Sequence, residues 1–205
     1  MCFSITIIGE VLKGKSLKRS NAQDGDLIFV SNNIGDAFLG LQISEQQIIC
    51  PNKNYTKYLV NRHLKPSPRI DLGFALVKNN LSKSAIDISD GFLADLLHIC
   101  NASNLDATIY QNLLPISVQA KYCLKHQLAK NKIVDLELLL SGGEDYELIF
   151  TSHKKYQAKI TQLSEQLGIK ITCVGSMKKA KKQPKIELLD CNNEPIKIAK
   201  YGYVH

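Results

Sequence analysis

The chain has 205 residues, of which 44% are hydrophobic, 22% are charged and 7% are aromatic, and it contains no tryptophan. This composition is typical of a globular protein and excludes a disordered chain, a collagen and a disulfide-stapled scaffold. The formal net charge of +7 comes from lysines beyond residue 152. Their densest run, residues 178–185, contains neither arginine nor an aromatic residue, so we expect a solvated loop and no nucleic-acid partner.

The cysteines and the hydropathy pattern indicate the compartment. The cysteines form no CxxC pair, which favours free thiols in a reducing environment over a metal or disulfide site. They are Cys2, Cys50, Cys100, Cys123, Cys173 and Cys191. No apolar run approaches the roughly 18 residues of a membrane span, and the run at 4–8 is too short for a secretion signal. We therefore expect a cytoplasmic protein with no membrane partner.

Strand and helix patterns alternate along the chain. Residues 5–8 and 27–30 are short apolar runs bounded by turn residues, which predicts two strands. Apolar residues at helical spacing predict helices at 37–41 and 55–64. The second helix should end before Pro66, because a residue that precedes proline is forced out of the helical region.

The remainder of the chain continues this alternation. The predicted helices are 91–103, a helix begun by Pro115 that reaches about residue 128, and 154–167. The predicted strands are 85–89, 106–110, 147–151, 170–174 and 185–189. This order defines an α/β or α+β protein, in which helices pack on a mixed β-sheet. Residues 1–24 have no helix of their own, so we expect them to be a stub of a preceding domain, followed by one domain at 25–205.

A phosphate-binding pattern occurs near the start of the chain. Residues 9–16 satisfy GxxxxGK[ST] and follow the predicted strand at 5–8. A phosphate loop also needs an apolar-faced helix that begins at its lysine, here Lys15, and directs its N-terminus at the phosphates. Residues 17–25 are polar instead, so we favour a plain glycine turn and keep a P-loop NTPase as the less favoured alternative.

A second candidate site lies where the strand at 85–89 meets the helix at 91–103. Asp87 and Asp90 flank Ser89 at the carboxyl end of the strand, where α/β sheets place their ligands. Carboxylates at such a turn suit Mg²⁺, which takes oxygen ligands and bridges to phosphate oxygens. The alternative is that Ser89 or Asp90 only caps the helix. Composition alone does not choose between them.

A third candidate is the double-glycine turn at 141–151. Two adjacent acids, Glu144 and Asp145, follow Gly142-Gly143 and lead into a strand. Adjacent carboxylates at a turn are usually solvated, but a glycine pair lets the backbone come close to a ligand. His98 has no partner at metal-ligand spacing, so we favour a surface or structural role for it.

Three sequence motifs resemble the thiamine-monophosphate kinase family in order and spacing. They are HLKPSPR at 63–69, SAIDISDG at 84–91 and SGGEDYEL at 141–148. The resemblance implies a fold like the C-terminal domain of the PurM superfamily. It also implies transfer of the γ-phosphate of ATP to thiamine monophosphate, which yields thiamine diphosphate and ADP. The cofactor would be Mg²⁺, and the transfer would be direct and in line, without a covalent nucleophile.

The resemblance also implies roles for individual residues. Arg19 and Ser89 match ATP contacts, while Asp87 and Asp90 match ligands of Mg²⁺. Glu144 matches a position that binds the substrate. Tyr203 matches a second substrate contact, where an aromatic face could pack on a cationic thiazolium ring.

The sequence departs from the family in one large respect. The resemblance implies that family members begin with a nucleotide-binding domain, which carries further metal-binding acids and forms the homodimer. Apart from the stub at 1–24, we expect no counterpart of that domain in these 205 residues. We therefore expect no kinase activity from this chain alone, and a non-catalytic remnant or binding module is the alternative. We also expect an exposed edge at 5–8 through which chains self-associate.

Overall fold

The structure is a computed structural model that describes residues 4–129, 134–199 and 201–202. The strands are β1 (Asp26–Ser31), β2 (Ile48–Ile49), β3 (Ser84–Asp87), β4 (Leu105–Tyr110), β5 (Leu128–Ala129), β6 (Leu148–His153), β7 (Ile171–Lys179), β8 (Ile186–Leu189) and β9 (Pro195–Ile196). The helices are α1 (Asp36–Ser44), α2 (Lys53–Leu64), α3 (Ile70–Lys78), α4 (Phe92–Ser103), α5 (Val118–His126), α6 (Leu136–Leu140) and α7 (Gln157–Leu167). Short 3₁₀ turns lie at Arg19–Asn21, Gln111–Leu113 and Lys154–Tyr156.

Seven strands form one mixed sheet in the order β3-β6-β1-β7-β4-β8-β9. All neighbours are antiparallel except β4 and β8, which are parallel. The β1–β7 register shifts between Ile28 and Phe29. β2 and β5 pair separately. The expected mixed sheet with helices packed on it is confirmed.

Side-chain alternation along β1 divides the core between the two faces of this sheet. Ile28 and Val30 pack in the cluster that α4 covers with its apolar side, including Phe92. Phe29 points the other way, where α3 and α7 cover the sheet. There it stacks on Phe150 of β6 with the ring centroids 5.2 Å apart. A third cluster lies among α1, α2 and α5 and contains Leu39, Leu59 and Ala120.

Several boundaries differ from the sequence-based expectation. Residues 5–8 form no strand, and Ile7 in their middle is 90% exposed. Pro115 does not begin α5: the hydroxyl of Ser117 accepts a hydrogen bond from the N–H of Ala120 at 2.9 Å and caps the helix instead. Sequence analysis did not predict α3, α6 or the β2–β5 pair.

The exposure of the lysine run and the free state of the described cysteines agree with the expectations from composition. The lysines of 178–185 are exposed, although Lys178 and Lys179 belong to the end of β7. The cysteines within the described residues are free, and Cys2 lies outside those residues. Within the same residues, no helix is both long and apolar enough to cross a bilayer.

Candidate functional site

The turn that contains Asp87 and Asp90 lies beside the loop that contains Glu144. We call these two segments the acidic motifs, and more than fifty residues separate Asp90 from Glu144 in the sequence. β3 and β6 are antiparallel neighbours, and Asp87 at the end of β3 is opposite Leu148 at the start of β6. The turn that follows β3 therefore meets the loop that precedes β6. This pairing places the predicted ATP and metal contacts beside the predicted substrate contact.

Backbone hydrogen bonds extend this contact beyond the strands. The N–H of Ile88 donates to the carbonyl of Glu147 at 2.8 Å, and the N–H of Tyr146 donates to the carbonyl of Ile88 at 2.8 Å. The N–H of Glu144 donates to the carbonyl of Ser89 at 3.0 Å. Ser89 and Glu144 are thus fixed in direct backbone contact.

Two glycines allow the loop and the turn to approach so closely. A Cβ on Gly143 would lie 2.0 Å from the carbonyl oxygen of Ser89. Gly91 has a φ of +122°, which other residues rarely adopt, and a Cβ there would lie 2.7 Å from the carbonyl of Ser141. Gly143 of the glycine pair thus comes close to the backbone of the turn after β3, while the expected approach to a ligand stays a prediction.

Asp95 holds the turn from inside α4. Its Oδ2 accepts hydrogen bonds from the N–H groups of Ser89 and Asp90, each at 3.0 Å. Burial raises the pKa of Asp95 to about 6, and the nearby charges of Asp90 and Asp87 act in the same direction. The N-cap position of α4 is Gly91, and not Ser89 or Asp90, the two residues named in the capping alternative. Sequence analysis did not single out Asp95, although an acid in a first helical turn is a usable signal.

Carboxylates concentrate on the open side of the turn. Asp87 is exposed, while Asp90 and Glu144 are half-buried. The pKa of Tyr146 is raised, first by the charge of Glu144, then by burial and by the charges of Asp87 and Asp90. These oxygen donors have the chemistry that Mg²⁺ takes as ligands.

His98 is exposed, as expected, but it is not isolated. One ligand atom each of Asp90, Asp95 and His98 lies within 4.8 Å of the others. Asp95 and His98 share a helix face because they are three residues apart. The expectation that His98 has no partner at metal-ligand spacing is therefore wrong, because Asp90 and Asp95 lie beside it.

Glu147 anchors the loop from behind. Its carboxylate is fully buried and accepts hydrogen bonds from Arg62 at 2.7 Å and from Arg69 at 2.6 Å. Ser31 donates to the same carboxylate at 2.5 Å and Asn32 at 3.2 Å. The pKa of Arg69 is raised, chiefly by its hydrogen bonding to Glu147 and to a smaller extent by the charge of that carboxylate. A buried carboxylate with this many donors fixes the start of β6 relative to β1, α2 and α3.

Asp145 differs from its neighbour Glu144. Its side chain is buried, so the expectation that acids at this turn are usually solvated fails for Asp145. The carboxylate accepts hydrogen bonds from the N–H groups of Gly35 at 2.5 Å and Ala37 at 3.1 Å, at the start of α1. Burial raises its pKa to about 7, although these hydrogen bonds oppose the shift.

Arg19 and Tyr203 are the two predicted ligand contacts that remain. The carbonyl of Arg19 accepts hydrogen bonds from Ser84 at 3.4 Å and Ser103 at 2.8 Å. Its backbone therefore lies at the start of β3 and the end of α4, one strand length of about 10 Å from the acidic turn. Tyr203 lies outside the described residues. The nearby Gly202 does reach the site, since a Cβ on it would lie 2.9 Å from the carbonyl oxygen of Asp90.

The phosphate-loop alternative is wrong. Residues 9–16 are followed by the three-residue 3₁₀ turn Arg19–Asn21, and no α-helix begins at Lys15. The ammonium group of Lys15 donates instead to the side chain of Asn80 at 2.5 Å. Without a helix N-terminus, the loop lacks the convergent backbone donors that phosphate binding requires.

The fold and the paired motifs define a class of protein. Residues 23–184 match the family model described as AIR synthase related protein, C-terminal domain. The chain therefore belongs to this family.

Individual relatives and solved structures give a more specific comparison than the family model does. The chain is 36% identical over 207 residues to the thiamine-monophosphate kinase of Buchnera aphidicola subsp. Schizaphis graminum, covering all of this chain and 60% of the relative. The crystal structure of thiamine-monophosphate kinase from Stenotrophomonas maltophilia K279a superposes with a TM-score of 0.71 at 32% identity, covering 86% of this chain and 54% of that one. AaThiL complexed with AMPPCP and TMP gives a TM-score of 0.69 at 26% identity, covering 92% and 54%. The chain thus spans between half and two thirds of the length of these proteins.

Proposed function

We propose that this chain is the C-terminal part of a thiamine-monophosphate kinase and contributes to the transfer of the ATP γ-phosphate to thiamine monophosphate. The products are thiamine diphosphate and ADP. The proposal rests on one observation above all, the backbone contact of Ser89 with Glu144. This contact joins the turn proposed to bind ATP and metal to the loop proposed to bind the substrate.

The carboxylates Asp87 and Asp90 are proposed as ligands of Mg²⁺. Both have exposed or half-exposed carboxylates, and their charges act on the same neighbours, Asp95 and Tyr146. Asp87 and Asp90 would hold the ion, which would supply neutralisation of the phosphate charge. Phosphoryl transfer depends on positioning and on charge neutralisation, so the reaction requires no activated nucleophile from this chain.

The other proposed contacts are divided between ATP and thiamine monophosphate. Ser89 and Arg19 bind ATP, with Arg19 reaching the site from the start of β3. Glu144 and Tyr203 bind thiamine monophosphate. Support comes from the relatives named as thiamine-monophosphate kinases and from the relative whose complex holds AMPPCP and TMP.

The chain alone is proposed to be inactive, because it covers only 60% of the length of the Buchnera relative. Residues 1–24 belong in this proposal to the preceding domain and residues 25–205 to the domain described above. The free cysteines support a cytoplasmic location. We propose that the complete enzyme is a homodimer in the cytoplasm.

Mixing two halves of the enzyme tests this function. The purified chain is combined with ATP, thiamine monophosphate and Mg²⁺, with and without the separately produced remaining N-terminal part of the Buchnera relative. We expect thiamine diphosphate, measured by chromatography, only from the mixture. Asp87→Asn in this chain should reduce the rate at least about 100-fold, as expected when a group that stabilises transferring charge is lost.

Asp71→Asn is the matched control, since Asp71 is an exposed acid on α3. It should leave the rate of the mixture unchanged. Turnover by the isolated chain that Asp87→Asn abolishes would disprove the proposed dependence on a second part. A mixture that forms a stable complex but makes no thiamine diphosphate would contradict the kinase function itself.

A further inference from the structure

A pocket of about 350 Å³ lies at the opposite end of β3 from the acidic motifs. It is formed by the residues that precede β3, by the end of β6 and by the segment that leads into β1. Most of its lining residues are polar, and we call it the polar pocket. Its volume lies in the range of small-molecule sites. The residues proposed above as contacts of ATP and Mg²⁺ do not line it.

Asp26 places a buried carboxylate in the wall of the polar pocket, with 6% of the residue exposed. Its Oδ2 accepts hydrogen bonds from the N–H of Gln23 at 3.0 Å and from the hydroxyl of Thr151 at 3.2 Å. Both bonds end on the same oxygen, so Oδ1 can accept another one. Burial raises the pKa of Asp26, although these hydrogen bonds and the charge of His153 oppose the shift. A ligand that donates a hydrogen bond would stabilise this carboxylate.

Ammonium groups lie at the rim of the polar pocket. Lys83 and Lys155 line it and are exposed, and the ammonium group of Lys155 lies 5.0 Å from the ring centroid of Tyr156. Lys15 is also held at the rim, because its ammonium group donates at 2.5 Å to the side chain of Asn80, another lining residue. Three lysines thus accompany the buried carboxylate, and this excess of positive charge favours an anion.

Hydrogen bonds among the lining residues fix two donors of the polar pocket. Nδ1 of His153 accepts a hydrogen bond from the N–H of Lys155 at 3.2 Å, so the ring proton is on Nε2 and is available to a ligand. The hydroxyl of Ser82 donates to the carbonyl of Thr151 at 2.8 Å. Lys83 therefore extends from a backbone that is tied to β6.

We infer that the polar pocket binds a phosphate group that retains a proton, either inorganic phosphate or the monoester of a small molecule. The charged oxygens accept hydrogen bonds from the lysines and from Nε2 of His153, and the remaining hydroxyl donates to Oδ1 of Asp26. Sulfate has the same shape but no proton, so it leaves that carboxylate without a donor and adds repulsion between like charges. The inference goes beyond the proposed kinase function and does not depend on it.

Anions of matched shape test the inference on the full chain, without ATP or Mg²⁺. Sodium phosphate, sodium sulfate and glycerol 3-phosphate are titrated at equal ionic strength and at a pH of about 6, where phosphate monoesters are roughly half protonated. Binding is followed by amide chemical shifts in two-dimensional NMR. We expect phosphate to bind at least about ten-fold more tightly than sulfate, which leaves a buried acceptor unpaired. The shifts should centre on Gln23, Ser82 and Ser152.

The third ligand distinguishes the two sources of the phosphate group. Glycerol 3-phosphate that binds more tightly than phosphate assigns the polar pocket to a monoester, whose organic part fills the remaining volume. Phosphate that binds more tightly than the ester assigns it to the free ion. Either order supports the inference, provided that sulfate is the weakest of the three.

Variants separate anion binding from general folding. Lys83→Met should weaken phosphate binding about ten-fold, because a charge-assisted hydrogen bond is lost. Asp26→Asn should reduce the preference for phosphate over sulfate, because an amide can donate to either anion. Lys83 is exposed, so its variant remains informative if Asp26→Asn fails to fold. Lys121→Met is the matched control, since Lys121 is an exposed lysine on α5 that does not line the polar pocket, and it should leave binding unchanged.

Four results would overturn the inference. They are equal affinity for phosphate and sulfate, no binding of either phosphate, unchanged phosphate binding by Lys83→Met, and chemical shifts centred on Ser89 and Glu144 instead of the polar pocket. None of these results depends on phosphoryl transfer, so the proposed kinase function is judged separately by the mixing experiment.

Discussion

Arg69 and Glu147 form a bidentate ion pair in which Nε and Nη2 of the arginine donate to the two carboxylate oxygens at 2.6 Å. Glu147 is fully buried, and the Arg69 side chain is 13% exposed. Paired hydrogen bonds of this kind fix relative orientation as well as distance. The pair therefore holds the proline-containing segment before α3 against the loop that carries Glu144 and Tyr146.

We predict that Glu147→Gln strongly destabilises the protein. The substitution leaves the charges of Arg62 and Arg69 buried without their anion, and breaking a buried pair in this way costs about 3–5 kcal/mol. Urea unfolding should show this loss in the free energy of unfolding. Glu187→Gln is the control, because its ion pair with Lys178 is exposed and should contribute at most about 1 kcal/mol. Similar effects of the two substitutions would contradict the prediction.

We predict that Gly143→Ala disrupts the contact between the two acidic motifs. The new methyl group would lie 2.0 Å from the carbonyl oxygen of Ser89, so the loop and the turn must move apart. We expect a loss of about 1–3 kcal/mol in urea unfolding and weaker Mn²⁺ binding by electron paramagnetic resonance.

Gly73→Ala provides the opposite case within α3. A Cβ on Gly73 would meet nothing within 4 Å, and alanine is the better helix former. This variant should gain about 0.5–1 kcal/mol. If Gly143→Ala proved as stable as Gly73→Ala, the close approach at Ser89 would be refuted.

Asp145 should make stability depend on pH between about 4 and 7. Burial raises the folded-state pKa to about 7, whereas an unfolded aspartate titrates near 3.9. As pH rises through this window, the unfolded chain loses the proton while the folded chain retains it, so the contribution of Asp145 to stability falls.

The measurement compares the wild-type chain with Asp145→Asn at several pH values by urea unfolding. The wild-type protein should be more stable relative to the variant at pH 4 than at pH 7.5. A stability difference that stays constant, or that grows towards neutral pH, would show that the folded-state pKa of Asp145 is not raised.

The segment 5–8 should promote self-association. Ile5, Ile7 and Ile8 are each at least 85% exposed, and an extended apolar segment can pair with a second chain. We expect Ile7→Lys to lower the average mass in light scattering. Val118→Lys adds the same charge at another exposed apolar position and should have no such effect. Equal masses for all three proteins would exclude association through this segment.

Local pattern in the sequence predicted most of the elements. The strand at 27–30 was located from its apolar run between turn residues. The helices at 55–64 and 91–103 were located within a few residues, because their apolar spacing repeats over a whole element. The acidic turn and the double-glycine loop were also recognised, since residue type and order carry that information. The helix α3 was missed because its burial depends on Phe150 and α7, which are remote in sequence.

Tertiary structure decided how these parts act together. Only the pairing of β3 with β6 brings Ser89 to Glu144, and only burial distinguishes Asp145 and Glu147 from the accessible Glu144. The segment 5–8 has strand composition but no strand, because a strand forms only where a neighbour accepts and donates its backbone hydrogen bonds. Sequence thus determined which groups are available, while contacts between distant segments determined their protonation, their exposure and their partners.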